Sequence, residues 1–99
     1  VTYKIEFSPE ALADLFDLYD YIALRDGVGR AIGYLDRIES FCQSLSTFPE
    51  RGILREDLRP GLRMVGFERR VVLAIRIKAD TVTILRVLYG GRSLEDGFA

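Results

Sequence analysis

The feature that most constrains this chain is a two-residue break, Asp26-Gly27, between two long amphipathic stretches. Upstream, Leu12, Leu15, Phe16, Tyr19, Ile22 and Ala23 recur at the three-and-four spacing of one helix face, while Asp14, Asp17 and Asp20 point largely elsewhere. Downstream, Ala31, Leu35, Ile38, Cys42 and Leu45 form a second stripe, with Phe41 beside it. Ser8-Pro9-Glu10 reads as the start of the first helix: serine caps, proline is pre-set for the first helical position, and an acid suits the positive end of the dipole. Gly27 closes that helix, and Pro49 and Gly52 close the second. So short a break predicts an antiparallel helical hairpin. Each helix is left with an apolar face that the other cannot cover, so the hairpin needs a sheet.

The flanking segments supply one. TYKIEF (residues 2–7) alternates Tyr3, Ile5 and Phe7 with polar residues, the period of a half-buried strand. RPGLRMV (59–65) leaves a Pro-Gly turn as a short strand, and Gly66 precedes FERRVVLAIRI. The tripeptide KAD (78–80) is a tight turn into TVTILRVLY. The last two runs are dense in Val, Ile and Leu, as central strands under helices are. The predicted fold is α+β: an N-terminal strand, then an antiparallel helical hairpin packed on a mainly antiparallel sheet, in the order β-α-α-β-β-β. At 99 residues and 48% hydrophobic, the chain has material for one core, so residues 1–99 are expected to form a single domain.

No run approaches the roughly 18 apolar residues that span a bilayer, and no basic segment followed by an apolar one opens the chain. No membrane partner is therefore expected. The lone Cys42 falls on an apolar helical face and reads as a small buried thiol, which points to the cytoplasm.

Much chemistry is excluded by composition. There is no histidine, which removes Ser-His and Cys-His nucleophile systems and the usual imidazole base. One cysteine cannot build a zinc site, so no metal or other cofactor is expected. Gly90-Gly91 lacks the spacing of a dinucleotide or P-loop fingerprint, and Glu95-Asp96 reads as a charged tail. What remains is arginine. Residues 1–50 hold nine acids and four bases, whereas residues 51–99 hold six acids and ten bases, nine of them arginine. The planar guanidinium fork suits carboxylates and phosphates, so this half is ready for an anionic partner, or else carries charges that guard a sheet edge. Arg63, Arg76 and Arg86 lie within predicted strands, Arg69 and Arg70 where a strand begins, and Arg92 after the glycines. By alternation, Ile84, Arg86 and Leu88 share one face of the last strand and Leu85, Val87 and Tyr89 the other. Arg86 then lies either on the open face or in a partly covered groove, and an alanine there is the substitution expected to separate binding from catalytic readings.

Four local patterns in this order resemble the RelE/ParE superfamily, the toxins of bacterial toxin–antitoxin pairs, over nearly the whole chain. FSPEALADLFDLYDYIA (7–23) is similar to the family's first helix, and IESFCQSLSTFPERG (38–52) to the end of its second. REDLRPGLRMVGFERRVVLAIRI (55–77) looks like the ParE branch, where a Pro-Gly-Leu-Arg turn leads into a strand. VTILRVLYGGR (82–92) resembles the last strand and its closing Gly-Gly-Arg.

The resemblance implies a toxin silenced by an antitoxin encoded beside it. ParE-type members are associated with inhibition of DNA gyrase, and RelE-type members cut mRNA on the ribosome. Arg63 and Arg86 match positions where such toxins carry arginines, and Tyr89 stands where many relatives have histidine. That departure favours a binding inhibitor of gyrase over an enzyme, since tyrosine, with a pKa near about 10, is a poor base at neutral pH. The alternative is a RelE-like ribosome-dependent endoribonuclease using Arg63, Arg86 and Tyr89. On the leading reading, Arg63, Arg69, Arg70, Arg86, Tyr89 and Arg92 meet the target or the antitoxin, and Leu12, Phe16 and Tyr19 receive an apolar anchor of the antitoxin. The implied partner is a ParD-like, ribbon-helix-helix antitoxin that forms a hetero-oligomer with this chain and alone supplies operator DNA binding.

Overall fold

The computed structural model describes residues 2–89. The predicted Gly90-Gly91 hinge, Arg92 and the Glu95-Asp96 tail lie outside the described residues. The elements are β1 (Lys4–Phe7), α1 (Pro9–Asp26), α2 (Val28–Ser44), β2 (Ile53–Leu54), β3 (Leu62–Phe67), β4 (Val71–Lys78) and β5 (Thr81–Tyr89). They form a five-stranded sheet in the order β1-β5-β4-β3-β2. All neighbours are antiparallel except β1, which runs parallel to β5 at one edge.

The helical hairpin forms as its punctuation requires. Ser8 Oγ accepts a hydrogen bond from Ala11 N, Pro9 opens α1, and Gly27 N donates to Ala23 O at its end. α2 stops at Ser44, five residues before Pro49, because Leu45 N turns back to Cys42 O and a short turn follows. The helices bury Ala11, Leu18, Ala31, Ile38, Cys42 and Leu45, and most of these meet Val65, Leu73, Ile75, Val82, Ile84 and Val87 of the sheet. A second, smaller cluster of Leu62, Met64, Ala74 and Leu88 occupies the opposite sheet face, with Leu58 packed on it from the loop before β3.

Several expectations need correction. The buried face of α1 is Ala11, Asp14 and Leu18, flanked by Leu15 and Ile22; Leu12 and Phe16 are exposed. The hydrophobic spacing therefore located the helix but placed its face about one position away. A further strand, β2, was not foreseen: two residues pairing with Met64 and Arg63 carry no period to read. The chain reaches it through Gly52, where a Cβ would collide with the Met64 carbonyl oxygen. β3 begins at Leu62, not Arg59, because Pro60 and Gly61 form the centre of a turn closed by Leu62 N to Arg59 O, with Gly61 at φ 74°. Gly66 sits inside β3, paired with Val72, and does not precede the next strand.

Candidate functional site

The arginines predicted to share one surface divide into two environments. The first lies where β1 gives out. β1 ends at Phe7 opposite Ile84, leaving the edge of β5 beyond that point without a strand partner. Side chains from the start of α1 take over. Ser8 N donates to Ile84 O at 3.0 Å and Ser8 Oγ donates to Leu85 O at 2.8 Å. Six residues further along the chain, Asp14 Oδ2 accepts from Val87 N at 2.8 Å. The same carboxylate receives Arg86 in a two-pronged pair, Nε to Oδ2 at 2.7 Å and Nη2 to Oδ1 at 2.9 Å.

This geometry revises two readings. Asp14 does not point away with Asp17 and Asp20; it is 3% exposed, because its charge is matched by Arg86 and a backbone donor. Nor does β5 alternate cleanly. Ile75 pairs with Ile84 and Ala74 with Arg86, so Leu85 is an extra residue, a β-bulge. After it, Val87 and Tyr89 join Ile84 on the helix side, while Leu85 and Leu88 pack on the other. Asp14 raises the Arg86 pKa above its already high ordinary value, chiefly through the hydrogen-bonded pair. Arg63 is engaged elsewhere: Nη2 lies 3.9 Å from Glu50 and Nη1 donates to Arg51 O at 3.4 Å. Arg63 and Arg86 thus answer to carboxylates on different elements.

The second environment is an open cleft of about 1040 Å³ between the helical hairpin and the β3–β4 turn. Arg69, Arg70 and Tyr89 line it, as do Arg25, Arg30, Arg37, Tyr21 and Tyr34 from the acidic half of the sequence. Half-buried Ile22 and the buried Leu18 and Val71 also line it, and Asp26 and Glu68 are its two acids. Arg25 donates to Tyr21 Oη at 3.0 Å, with its guanidinium 5.1 Å from the centre of that ring. Tyr89 meets the same ring at 5.6 Å. Arg37 forms a bidentate pair with Glu68, at 2.9 and 3.0 Å, and lies 4.9 Å from the Tyr34 ring centre. That pair lowers the Glu68 pKa through its hydrogen bond. Tyr34 Oη is buried and without a hydrogen-bond partner among the described residues. Burial, reinforced by Glu68, pushes the Tyr34 pKa up, against the pull of Arg37 and Arg70. The side chains of Arg30, Arg69 and Arg70 make no hydrogen bond or ion pair among the described residues.

The turn that presents Arg69 is strained. Arg70 N closes it on Phe67 O at 3.3 Å, and its two central residues, Glu68 and Arg69, have φ of 48° and 64°. Positive φ at both centres is the demand that Asn-Gly normally meets in a hairpin. A left-handed conformation costs a residue with a Cβ about 1–2 kcal/mol. Arg69 and Arg70 therefore belong to the turn, not to the start of a strand as expected.

Sequence reasoning missed the helical half of this cleft because it followed charge by segment. The signal was present: Tyr21 and Arg25 stand at i, i+4, and Arg30, Tyr34 and Arg37 at i, i+4, i+7, one stripe of α2. Of the apolar residues expected to anchor a partner, Leu12 and Phe16 are exposed on the outside of α1 and Tyr19 is half-buried. Cys42 is fully buried, and burial pushes its thiol up to about 12. Among the described residues no group of His, Cys, Asp or Glu is placed to hold a metal, and no helix is long and apolar enough to cross a membrane.

A helical hairpin on a sheet ordered β1-β5-β4-β3-β2, with one parallel edge pair, defines the toxin fold of the RelE/ParE superfamily. The chain matches two solved structures of that class. One is described as the chromosomal ParDE TA system from P. aeruginosa: TM-score 0.78, 25% identity, covering 89% of this chain and 96% of that one. The other is described as the toxin–antitoxin complex RelBE2 from Mycobacterium tuberculosis: TM-score 0.65, 26% identity, covering 91% and 100%. It is also 41% identical over 81 residues to Toxin ParE3 of Caulobacter vibrioides, spanning 82% of this chain and 80% of that protein. Residues 5–94 match the family model described as the ParE toxin of type II toxin–antitoxin system, parDE, and the chain belongs to that family.

Proposed function

We propose that this ParE-type toxin arrests growth by binding and inhibiting DNA gyrase, in the cytoplasm, without covalent chemistry of its own. The observation that carries the reading is the match to the ParE model over residues 5–94. The structure supports a non-catalytic role in a second way. The two arginines a nuclease mechanism would draw on, Arg63 and Arg86, are engaged by Glu50 and Asp14, while Tyr89 packs its ring on Tyr21. We therefore assign target contact to Arg69, Arg70, Tyr89 and Arg92, the last of which lies outside the described residues, and a framework role to Arg63 and Arg86.

Residues 1–99 act in this proposal as one toxin domain, held silent in a hetero-oligomer by a ParD-like antitoxin of the ribbon-helix-helix type. An apolar anchor of that antitoxin lies along Leu12, Phe16 and Tyr19. Leu12 is 47% and Phe16 73% exposed, so a partner's apolar side chain can cover both. Operator DNA is reached only through the antitoxin, because a net charge of −1 gives this chain little attraction for a phosphate backbone. A supercoiling assay with purified toxin tests the target: gyrase is expected to lose supercoiling activity at toxin excess. Unaffected gyrase with codon-phased mRNA cuts on translating ribosomes would replace this reading with the endoribonuclease one.

A further inference from the structure

We propose that Arg37 and Glu68 form a latch that holds the β3–β4 turn in its left-handed conformation, with Glu68 the positioning residue for Arg69 and Arg70. The functional half of this assignment rests on the target-contact reading of those two arginines; the latch itself is read on the turn backbone.

The turn does not hold its shape on its own sequence. The twist of β3 and β4 asks for a turn of this hand, but the residue types oppose it. Glu68 and Arg69 are both left-handed, at φ 48° and 64°, a region that asparagine and glycine enter readily and other residues do not. The closing hydrogen bond, Arg70 N to Phe67 O at 3.3 Å, is longer than an ordinary N–H to O contact.

Helix α2 ties the turn from two sides. The Phe67 ring, just before the turn, lies 5.9 Å from that of Tyr34 and 5.2 Å from that of Phe41. The Glu68 carboxylate takes both prongs of Arg37, at 2.9 and 3.0 Å, and the same guanidinium lies 4.9 Å from the Tyr34 ring centre. A bidentate pair fixes direction as well as distance. Rotating Glu68 into the right-handed region would swing its Cβ aside and break that geometry. Arg69 and Arg70 follow directly, line the cleft, and have no hydrogen bond or ion pair among the described residues to aim them. Their direction is set by the backbone at 68 and 69, and that backbone by the latch. Both partners of the pair are exposed, so salt weakens it.

The test is hydrogen exchange at the Arg70 amide of the full chain, read beside growth arrest on expression without antitoxin. Arg37→Gln and Glu68→Ala should each speed that exchange roughly two- to fivefold, the worth of an exposed ion pair, and should weaken arrest. The Leu73 and Ile75 amides should not change. High salt should speed the native Arg70 amide in the same way. Glu68→Asn is the discriminating variant. It loses the carboxylate, yet asparagine accepts positive φ, so exchange should stay slow and arrest should remain. Adding Arg37→Gln to it should then change neither. Arg70 exchange that ignores both Arg37→Gln and Glu68→Ala overturns the proposal. A Glu68→Asn chain as harmless as Glu68→Ala also overturns it, because the carboxylate would then belong to the toxic surface. The supercoiling assay stands apart: gyrase left active would overturn the target, not the latch.

Discussion

Arg86 and Arg70 are both arginines beside hydrophobic strand residues, yet the fold uses them in opposite ways. Arg86 is enclosed where β1 ends, paired with a carboxylate that also caps the Val87 backbone. Arg70 lines an open cleft, with no ion pair among the described residues. An arginine inside an apolar strand is thus explained by a buried acid far away in sequence, here 72 residues. An arginine presented on a turn has no such partner among the described residues and keeps its charge toward solvent. The difference predicts that changes at the β5 edge will cost fold and that changes at the cleft will cost binding.

The largest effect should come from separating the enclosed pair. Arg86→Ala leaves Asp14 buried without its cation, and Asp14→Ala leaves Arg86 and the Val87 N–H without their acceptor. Each should lower stability by about 3–5 kcal/mol, read from urea unfolding. An alanine at Arg86 therefore cannot separate binding from catalysis as the sequence led us to expect, because it disturbs the fold first. Second is Gly52→Ala, where positive φ and a collision with the Met64 carbonyl combine to cost about 2–3 kcal/mol by the same measurement. Third, and opposite in sign, Arg69→Gly should stabilise by about 1 kcal/mol by relieving a left-handed residue, although it removes a charge that the cleft presents.

Two smaller effects depend on pH. The Cys42 thiol is pushed up to about 12 from an ordinary value of 9.0. A folded-state pKa above the unfolded one gives stability that is complete below about pH 9 and is lost as pH rises toward 12. Native protein should accordingly resist iodoacetamide near pH 8 and react on unfolding. Glu68, paired with Arg37, titrates below the usual glutamate range. Its contribution is present above that range and is lost as pH falls through the lowered pKa. Because the pair is exposed, the effect should be visible in an NMR titration of Glu68 and barely in a melting curve.

How much was legible follows from where each signal lives. Ser8-Pro9 and Asp26-Gly27 are local, so the helical hairpin could be read from the sequence, and the Val/Ile/Leu density of β4 and β5 placed the central strands. β2 was hidden because two residues carry no period. The bulge at Leu85 was hidden because it depends on pairing with Ala74 and Ile75, which no alternation within β5 reveals. Asp14 illustrates the same limit: a carboxylate on a helix is read as solvated until its partner is in view. The cleft was half legible. Its turn arginines stood out, but Arg25, Arg30 and Arg37 sit in the acidic half of the sequence, where the net charge hides them, although helical spacing sets Arg25 beside Tyr21 on α1 and Arg30 and Arg37 with Tyr34 on α2.

The contrast between the two arginine environments is tested most directly by refilling the enclosed one. Asp14→Leu combined with Arg86→Met replaces the ion pair with apolar side chains and avoids leaving either charge alone, so much of the stability should return, less the cost of the Val87 N–H that loses its acceptor. The decisive measurement is growth arrest when this double variant, verified as folded, is expressed without antitoxin. Arrest as strong as that of the native chain is the expected result. A folded double variant that leaves growth untouched would contradict the account, because Arg86 or Asp14 would then belong to the toxic surface itself.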